Sequence, residues 1–236
     1  QYASNVSGTI QPIAEIGAIC RRHGALFAVD SAQAAGHFLF NMQALQVDAM
    51  CFTGHKGLLG PSGIGGFVMN EAMNKALTPL IAGGTGSMSA SLEMPPTLPD
   101  RYEAGTPNLP GIMGLGVALR YLMEVGPDAL HKREMALTDR FLDGLHGNSH
   151  IRVPGPVDAK GRVGVISVDF LRQDNAEVAF QLEEQYGILT RCGLHCAPLA
   201  HKTLGTYPEG TVRFSVGYTT TEDEVDTAIQ AIHSLS

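Results

Sequence analysis

This 236-residue sequence has no apolar run long enough to cross a bilayer, which takes about 20 consecutive residues as a helix. It also lacks a basic stretch followed by an apolar segment and a cleavage site, so no secretory leader is legible. Basic clusters are missing too. Lys and Arg number 16 against 23 Asp and Glu, for a formal net charge of −7, and the 16 are scattered. That argues against a nucleic-acid partner and against a membrane surface. Cysteine is scarce. Cys20, Cys51, Cys192 and Cys196 are too few for a disulfide scaffold in a chain this size, so a reducing, cytoplasmic compartment is expected. Cys20 and Cys51 lie in apolar patterns and are expected to be core thiols. The opening, "QYASNVSGTIQPI", has no methionine, and the expectation is a chain from the middle of a larger protein. What is present is ordinary for a globular protein: 44% hydrophobic and 17% charged residues, enough for one large domain or two small ones.

Residues 12–23 read as a helix. Pro12 suits a first-turn position, Ile13, Ile16, Ile19 and Cys20 share one face, and Gly24 suits the position past the end. "ALFAVD" is a short apolar run ending in an acid, the pattern of a buried parallel strand with Asp30 at its carboxyl end. "DAMCFTG" and "GIGGFVMN" read as two more such strands. Alternating strands and helices with short connections predict an α/β sheet. Residues 82–110, rich in Gly, Pro, Ser and Thr, read as a long irregular segment, a kind often functional. After it come two helices, then strands at "IRVPGP", "VGVISVDF" and "TVRFSVG" alternating with further helices. Asp174 with Glu177, and Thr221 with Glu224, mark two helix starts, and Gly187 marks an end. The boundary is placed near residue 115. Residues 1–115 are read as part of a large α/β domain and 116–236 as a smaller α+β domain.

"CFTGHKGLLGPSG" raises the question of chemistry. A phosphate-binding P-loop places its lysine after the glycines and before Ser or Thr. Here the order is reversed, and that reading fails. A lysine desolvated at a strand end can instead condense with an aldehyde. Pyridoxal 5′-phosphate needs such a lysine, and an acid to keep its pyridinium nitrogen protonated. Lys56 and Asp30 suit those roles. Thr53 and His55 suit the phosphate, and Gln33 suits the ring hydroxyl. A plain surface lysine in a turn remains the alternative at this level.

Four stretches, "VDSAQAAGH", "CFTGHKGLLGPSGIG", "YEAGTPNLPGI" and "RCGLHCAPLAH", resemble the class V aminotransferase family, and within it the cysteine desulfurase and selenocysteine lyase branch. The resemblance runs in order from Ser4 to the last helix. It implies the fold type I of pyridoxal-phosphate-dependent transferases: the C-terminal part of the large domain, plus a small C-terminal α+β domain, with the N-terminal part lacking. It implies Lys56 as the residue that holds the cofactor and moves the Cα proton, with Asp30, Gln33, Thr53 and His55 around the cofactor. Thr106 is implied to reach the phosphate of a partner subunit's site. Asn5 and Arg213, assisted by Arg191, are implied to bind the substrate carboxylate, for which an arginine fork is suited.

The resemblance puts Cys196 in the position of the persulfide-forming nucleophile. That thiol sits in a short loop rather than an apolar run, and His195 or an arginine nearby would favour the thiolate. The expected reaction converts L-cysteine to L-alanine in a homodimer, with a sulfur-acceptor protein as a further partner. A selenocysteine lyase or another class V lyase or aminotransferase is the alternative, and a folded fragment without cofactor is another. His195, Cys196 and His201 do not have a zinc-ligand spacing, so no metal is expected. The other six histidines apart from His55 are expected at the surface or at caps.

Overall fold

Two separate sheets organise the computed structural model, which describes residues 1–236. The first is built from β1 (Ala28–Asp30), β2 (Ala49–Thr53) and β3 (Gly65–Met69) in that order. β1 and β2 are parallel, with Asp30 opposite Cys51. β3 runs antiparallel to β2, which corrects the expectation of a third parallel strand. The reason is local: residues 54–64 form a tight glycine-containing turn, and a parallel return needs a longer crossover. β3 is also poorly covered, with Phe67 and Val68 about half exposed.

Helix α1 (Ile13–Arg22) packs beside this sheet. Pro12 occupies its N-cap rather than its first turn, and Gly24 follows its end with φ +63°. Ile13 and Gly17 are buried on it, whereas Ile19 is exposed. Neither thiol of this region is a core group: Cys20 is half-buried and Cys51 exposed. Successive strand side chains point to opposite faces. Met50 takes the packed face, so Cys51 takes the other. A short helix, α2 (Glu71–Ala76), is capped by Asn70, whose side chain accepts from the Met73 amide.

The long irregular segment is present after α2, with a single 3₁₀ turn at Asp100–Tyr102. Helix α3 (Leu109–Val125) begins where the Asn108 side chain accepts from the Gly111 amide, earlier than the apolar periodicity indicated, so position 115 falls inside it. Gly126, at φ +95°, turns the chain into α4 (Pro127–Leu145).

The second sheet is antiparallel throughout, in the order β4 (Ile151–Arg152), β5 (Val165–Phe170), β7 (Thr211–Ser215), β6 (Arg191–Gly193). Helices α5 (Asn175–Tyr186) and α7 (Glu222–Ser234) begin at the caps the sequence marks. Asp174 accepts from the amides of Ala176 and Glu177, and Thr221 forms a reciprocal capping box with Glu224. Gly187 closes α5 in the left-handed conformation. β6 and the short α6 (Pro198–Leu204) were not legible as elements, because three and seven residues leave no periodicity to read.

A cluster of 18 buried residues fills the space between α4, α5, α7 and the second sheet, with Phe141, Ile166, Val168, Leu182 and Ile232 at its centre. A cluster of nine joins Tyr2, Ile13, Val29 and Met50 of the first region to Val163 and Val165. The first residues are thereby fastened to the second sheet, where Ser167 Oγ donates to the Val6 carbonyl at 2.7 Å. One of the histidines expected at the surface also contributes here. The His37 imidazole pairs with the buried Glu134 carboxylate of α4 at 2.9 Å, and Glu134 Oε1 accepts from the Gly164 amide at 2.9 Å. No helix is long and apolar enough to cross a membrane.

Candidate active site

The carboxyl ends of parallel strands are where open α/β sheets present ligand-binding groups. β1 ends at Asp30, and β2 ends at Thr53, two residues past the Asp30 register partner. Asp30 is exposed, and its Oδ1 accepts from the Ala32 amide at 2.8 Å. Ser31 ties the following turn to β2, donating from both its amide and its hydroxyl to the Cys51 carbonyl. Gln33 is half-buried in that turn. Beyond β2, the turn is closed by the Gly54 amide on the Ile64 carbonyl and by the Gly60 amide on the Gly54 carbonyl. Thr53 Oγ1 and His55 Nδ1 are 2.9 Å apart.

Lys56 lies exposed on this turn. The turn projects past the strand, so the lysine is not desolvated as the strand-end argument had it. The two motif halves nevertheless meet. A side chain at Gly36 would run into the Gly57 carbonyl, and one at Gly57 would lie 2.9 Å from the His37 ring. Two glycines thus let the turn after Asp30 rest directly on the peptide after Lys56.

The second group gathers around β6 and β7. Their register sets Arg191 opposite Arg213. Arg213 donates from Nη1 to the Asn5 carbonyl at 3.0 Å, while its buried Nε has no partner. Arg191 Nη2 lies 3.3 Å from the Cys196 sulfur. The Asn5 side-chain amide donates to the His195 carbonyl at 2.6 Å. His195 is buried, with Nε2 3.1 Å from Thr211 Oγ1. Burial, followed by the cations of Arg213, a charged His201 and Arg191, pushes its pKa down to about 4. His195 is therefore neutral near pH 7 and is not the cation beside the thiol. Arg191 occupies that place. Burial likewise lowers the Arg213 pKa, assisted by the neighbouring Arg191, and raises that of the Cys192 thiol. Two guanidinium groups paired across neighbouring strands make a site for an anion.

The Tyr2 amide donates to the Asp30 carbonyl at 2.7 Å, so the segment carrying Asn5 crosses the end of β1 and links the two groups. Thr106 belongs to neither. It is exposed in the irregular segment, which is anchored to the β2–β3 turn by Asn108 Nδ2 on the Gly63 carbonyl. His195 and His201 direct ring nitrogens to Thr211 and Thr206. A cavity of about 430 Å³, lined by Phe141, Tyr186, Ile188, Phe214, Asp223 and Val225 among others, lies between α5, β7 and α7 and includes none of these side chains. Thr211 and the Asn5–His195 bond were not foreseen. The bond spans 190 residues, and no local pattern signals it.

This architecture is shared closely with solved structures. Superposition on the apo structure of a cysteine desulfurase from Thermococcus onnurineus NA1 gives a TM-score of 0.89 at 34% identity, covering 100% of this chain and 58% of that one. A cysteine desulfurase structure from Escherichia coli gives 0.85 at 28% identity, covering 98% and 57%. The chain thus has the α/β fold of the type I pyridoxal-phosphate-dependent class. The aminotransferase class-V family model matches residues 1–227, and the chain belongs to that family, whose members depend on pyridoxal phosphate. Among curated relatives, a probable cysteine desulfurase of Pyrococcus abyssi is 35% identical over 239 residues, and a cysteine desulfurase of Escherichia coli O9:H4 is 38% identical over 242 residues. Those alignments take in 100% and 99% of this chain but 58% and 57% of the relatives, so the chain spans a little over half their length.

Proposed function

We propose that this chain belongs to a cysteine desulfurase and carries the lysine, the thiol and the carboxylate-binding side chains of the reaction. The observation that supports this best is the clustering of Arg191, Arg213 and Cys196 around Asn5, whose segment crosses the strand end bearing Asp30. The donor set suits pyridoxal phosphate. Asp30 has a carboxylate at the strand end for the pyridine nitrogen, Thr53 and His55 offer polar groups for the phosphate, Gln33 suits the ring oxygen, and Lys56 supplies the amine. Bound there, the cofactor supplies an electron sink for charge developing at the substrate Cα.

The protein's own groups divide the remaining work. Arg213 takes the carboxylate of L-cysteine, with Asn5 and Arg191 beside it, and so orients the amino acid. Lys56 moves the proton at Cα. The Cys196 thiolate, facing the Arg191 guanidinium, attacks the substrate sulfur. An S–S bond forms as the substrate Cβ–S bond breaks. The bonding pair goes to Cβ, which is then protonated. The products are L-alanine and a persulfide on Cys196. Residues 1–115 serve as part of the large cofactor-binding domain and 116–236 as the small C-terminal domain. Thr106 completes the site of a second subunit in a homodimer, a sulfur-acceptor protein receives the persulfide, and the enzyme works in the cytoplasm.

The test is to incubate the purified holoenzyme with L-cysteine and measure alanine together with the mass of the Cys196 peptide. Equal amounts of alanine and persulfide are expected. Lys56→Ala should abolish both, along with the visible absorbance of the lysine-bound cofactor. Full turnover in that variant overturns the assignment.

A further inference from the structure

We propose that Asn5 is a positioning residue for the nucleophile, its side-chain amide holding the Cys196 loop in a backbone conformation the loop would not keep alone. The inference rests on Cys196 being the sulfur-accepting thiol.

Two adjacent non-glycine residues in this loop have positive φ, His195 at +49° and Cys196 at +61°. L side chains are disfavoured there because Cβ crowds the following carbonyl. Such residues persist where their surroundings over-determine them, and they concentrate at functional sites. Four interactions do so here. The Ala197 amide closes the turn on the Leu194 carbonyl at 2.8 Å. His195 Nε2 is fixed at Thr211 Oγ1, Arg191 Nη2 meets the Cys196 sulfur, and Asn5 Nδ2 donates to the His195 carbonyl. The first three come from the loop, β6 and β7. Asn5 alone comes from the far side of the chain.

The donor is itself rigid. Asn5 sits in a turn in which Ser4 Oγ accepts from the amides of Val6 and Ser7, and the Gly8 amide donates to the Ser4 carbonyl. The Asn5 carbonyl is held by Arg213. One residue therefore binds the nucleophile's loop through its side chain and the carboxylate-binding arginine through its backbone. A side-chain amide has two N–H donors. The second stays available to a substrate carboxylate, so the role does not compete with substrate binding. Without the amide, the carbonyl of the buried His195 loses its donor, and the strained pair relaxes away from Arg191.

The experiment compares wild-type, Asn5→Ala and Asn5→Asp holoenzymes; Asp keeps the shape and loses the donor. Alanine formation is measured from L-cysteine and from L-selenocysteine in the presence of dithiothreitol. Both substrates carry the same carboxylate. The weaker carbon–selenium bond needs less help from a placed thiol. The expected result is a loss with cysteine that exceeds the loss with selenocysteine by on the order of tenfold, the scale on which small misplacements of a reacting group act. It should appear in the maximal rate with cysteine more than in KM. Amide exchange of residues 194–197 should accelerate in both variants. Equal losses on the two substrates with unchanged exchange would make Asn5 a carboxylate ligand alone and overturn the proposal. If Cys196→Ala desulfurates cysteine as fast as wild type, the nucleophile reading falls. The exchange rates then still decide whether Asn5 holds the loop.

Discussion

The first sheet has three strands, a cluster of nine buried residues, and Phe67 and Val68 about half exposed on β3. The second has four strands backed by 18 buried residues on α4, α5, α7 and the sheet itself. The side chains that frame the site differ in the same sense, while the Cys196 thiol itself is exposed. Lys56, His55 and Asp30 are exposed, and the side-chain hydrogen bonds of His55 and Asp30 reach no further than two residues along the chain. Arg213 and His195 are covered and are tied to Asn5 across 208 and 190 residues. One half of the site is thus aimed by the ends of strands, the other by packing and long-range hydrogen bonds. Strand-end geometry leaves groups open to a ligand; a packed sheet fixes them before any ligand arrives.

The sharpest break of this comparison is chemical. Cys196→Ala removes a thiol on the packed side, and alanine formation from cysteine should fall on the order of 10²-fold or more, while the visible spectrum set up by Lys56 is unchanged. A spectrum that changes with the thiol would mean that the halves are not separate.

Glu134 joins the regions, so its loss should be felt by both. Glu134→Ala leaves His37 and the Gly164 amide without their acceptor. Leaving a buried donor without its acceptor costs about 1–3 kcal/mol. Urea unfolding should register a loss of that order, and Glu134→Gln should recover part of it by retaining an acceptor for Gly164.

Core truncation should separate the regions. Ile166→Ala opens a cavity in the large cluster, where Ile166 has no exposed surface; the expected cost is about 2–5 kcal/mol. Val68→Thr on the open strand should stay within about 0.5 kcal/mol. Similar losses at both positions would mean that β3 is covered in solution.

The last expected effect is in pH. The His195 pKa is pushed from 6.5 to about 4 in the folded protein. Above 6.5 the ring is neutral both folded and unfolded, and there is no penalty. Between 6.5 and 4 the unfolded chain takes a proton that the folded one refuses, so stability falls as pH falls through this window and levels off below it. His195→Asn should flatten that part of a profile of thermal midpoint against pH.

The sequence by itself determined the caps at Asp174 and Thr221, the glycine end at Gly187, and the strand ends carrying Asp30 and Thr53. Each depends on contacts within a few residues, and the pattern that predicts them is the interaction that forms them. Family resemblance pointed to Cys196, Asn5 and Arg213 as candidate site residues, but not to their contacts. Tertiary structure alone decided that β3 runs antiparallel, that Cys51 faces out, and that Lys56 stands exposed on its turn. It also decided that His37 meets Glu134, 97 residues away, and that His195 is neutral while Arg191 faces the thiol. Burial and charge at a residue are set by whichever distant groups the fold brings against it. His195 has a cation and a carbonyl-binding amide as neighbours only because Arg213 and Asn5, far apart in the chain, bond each other beside it.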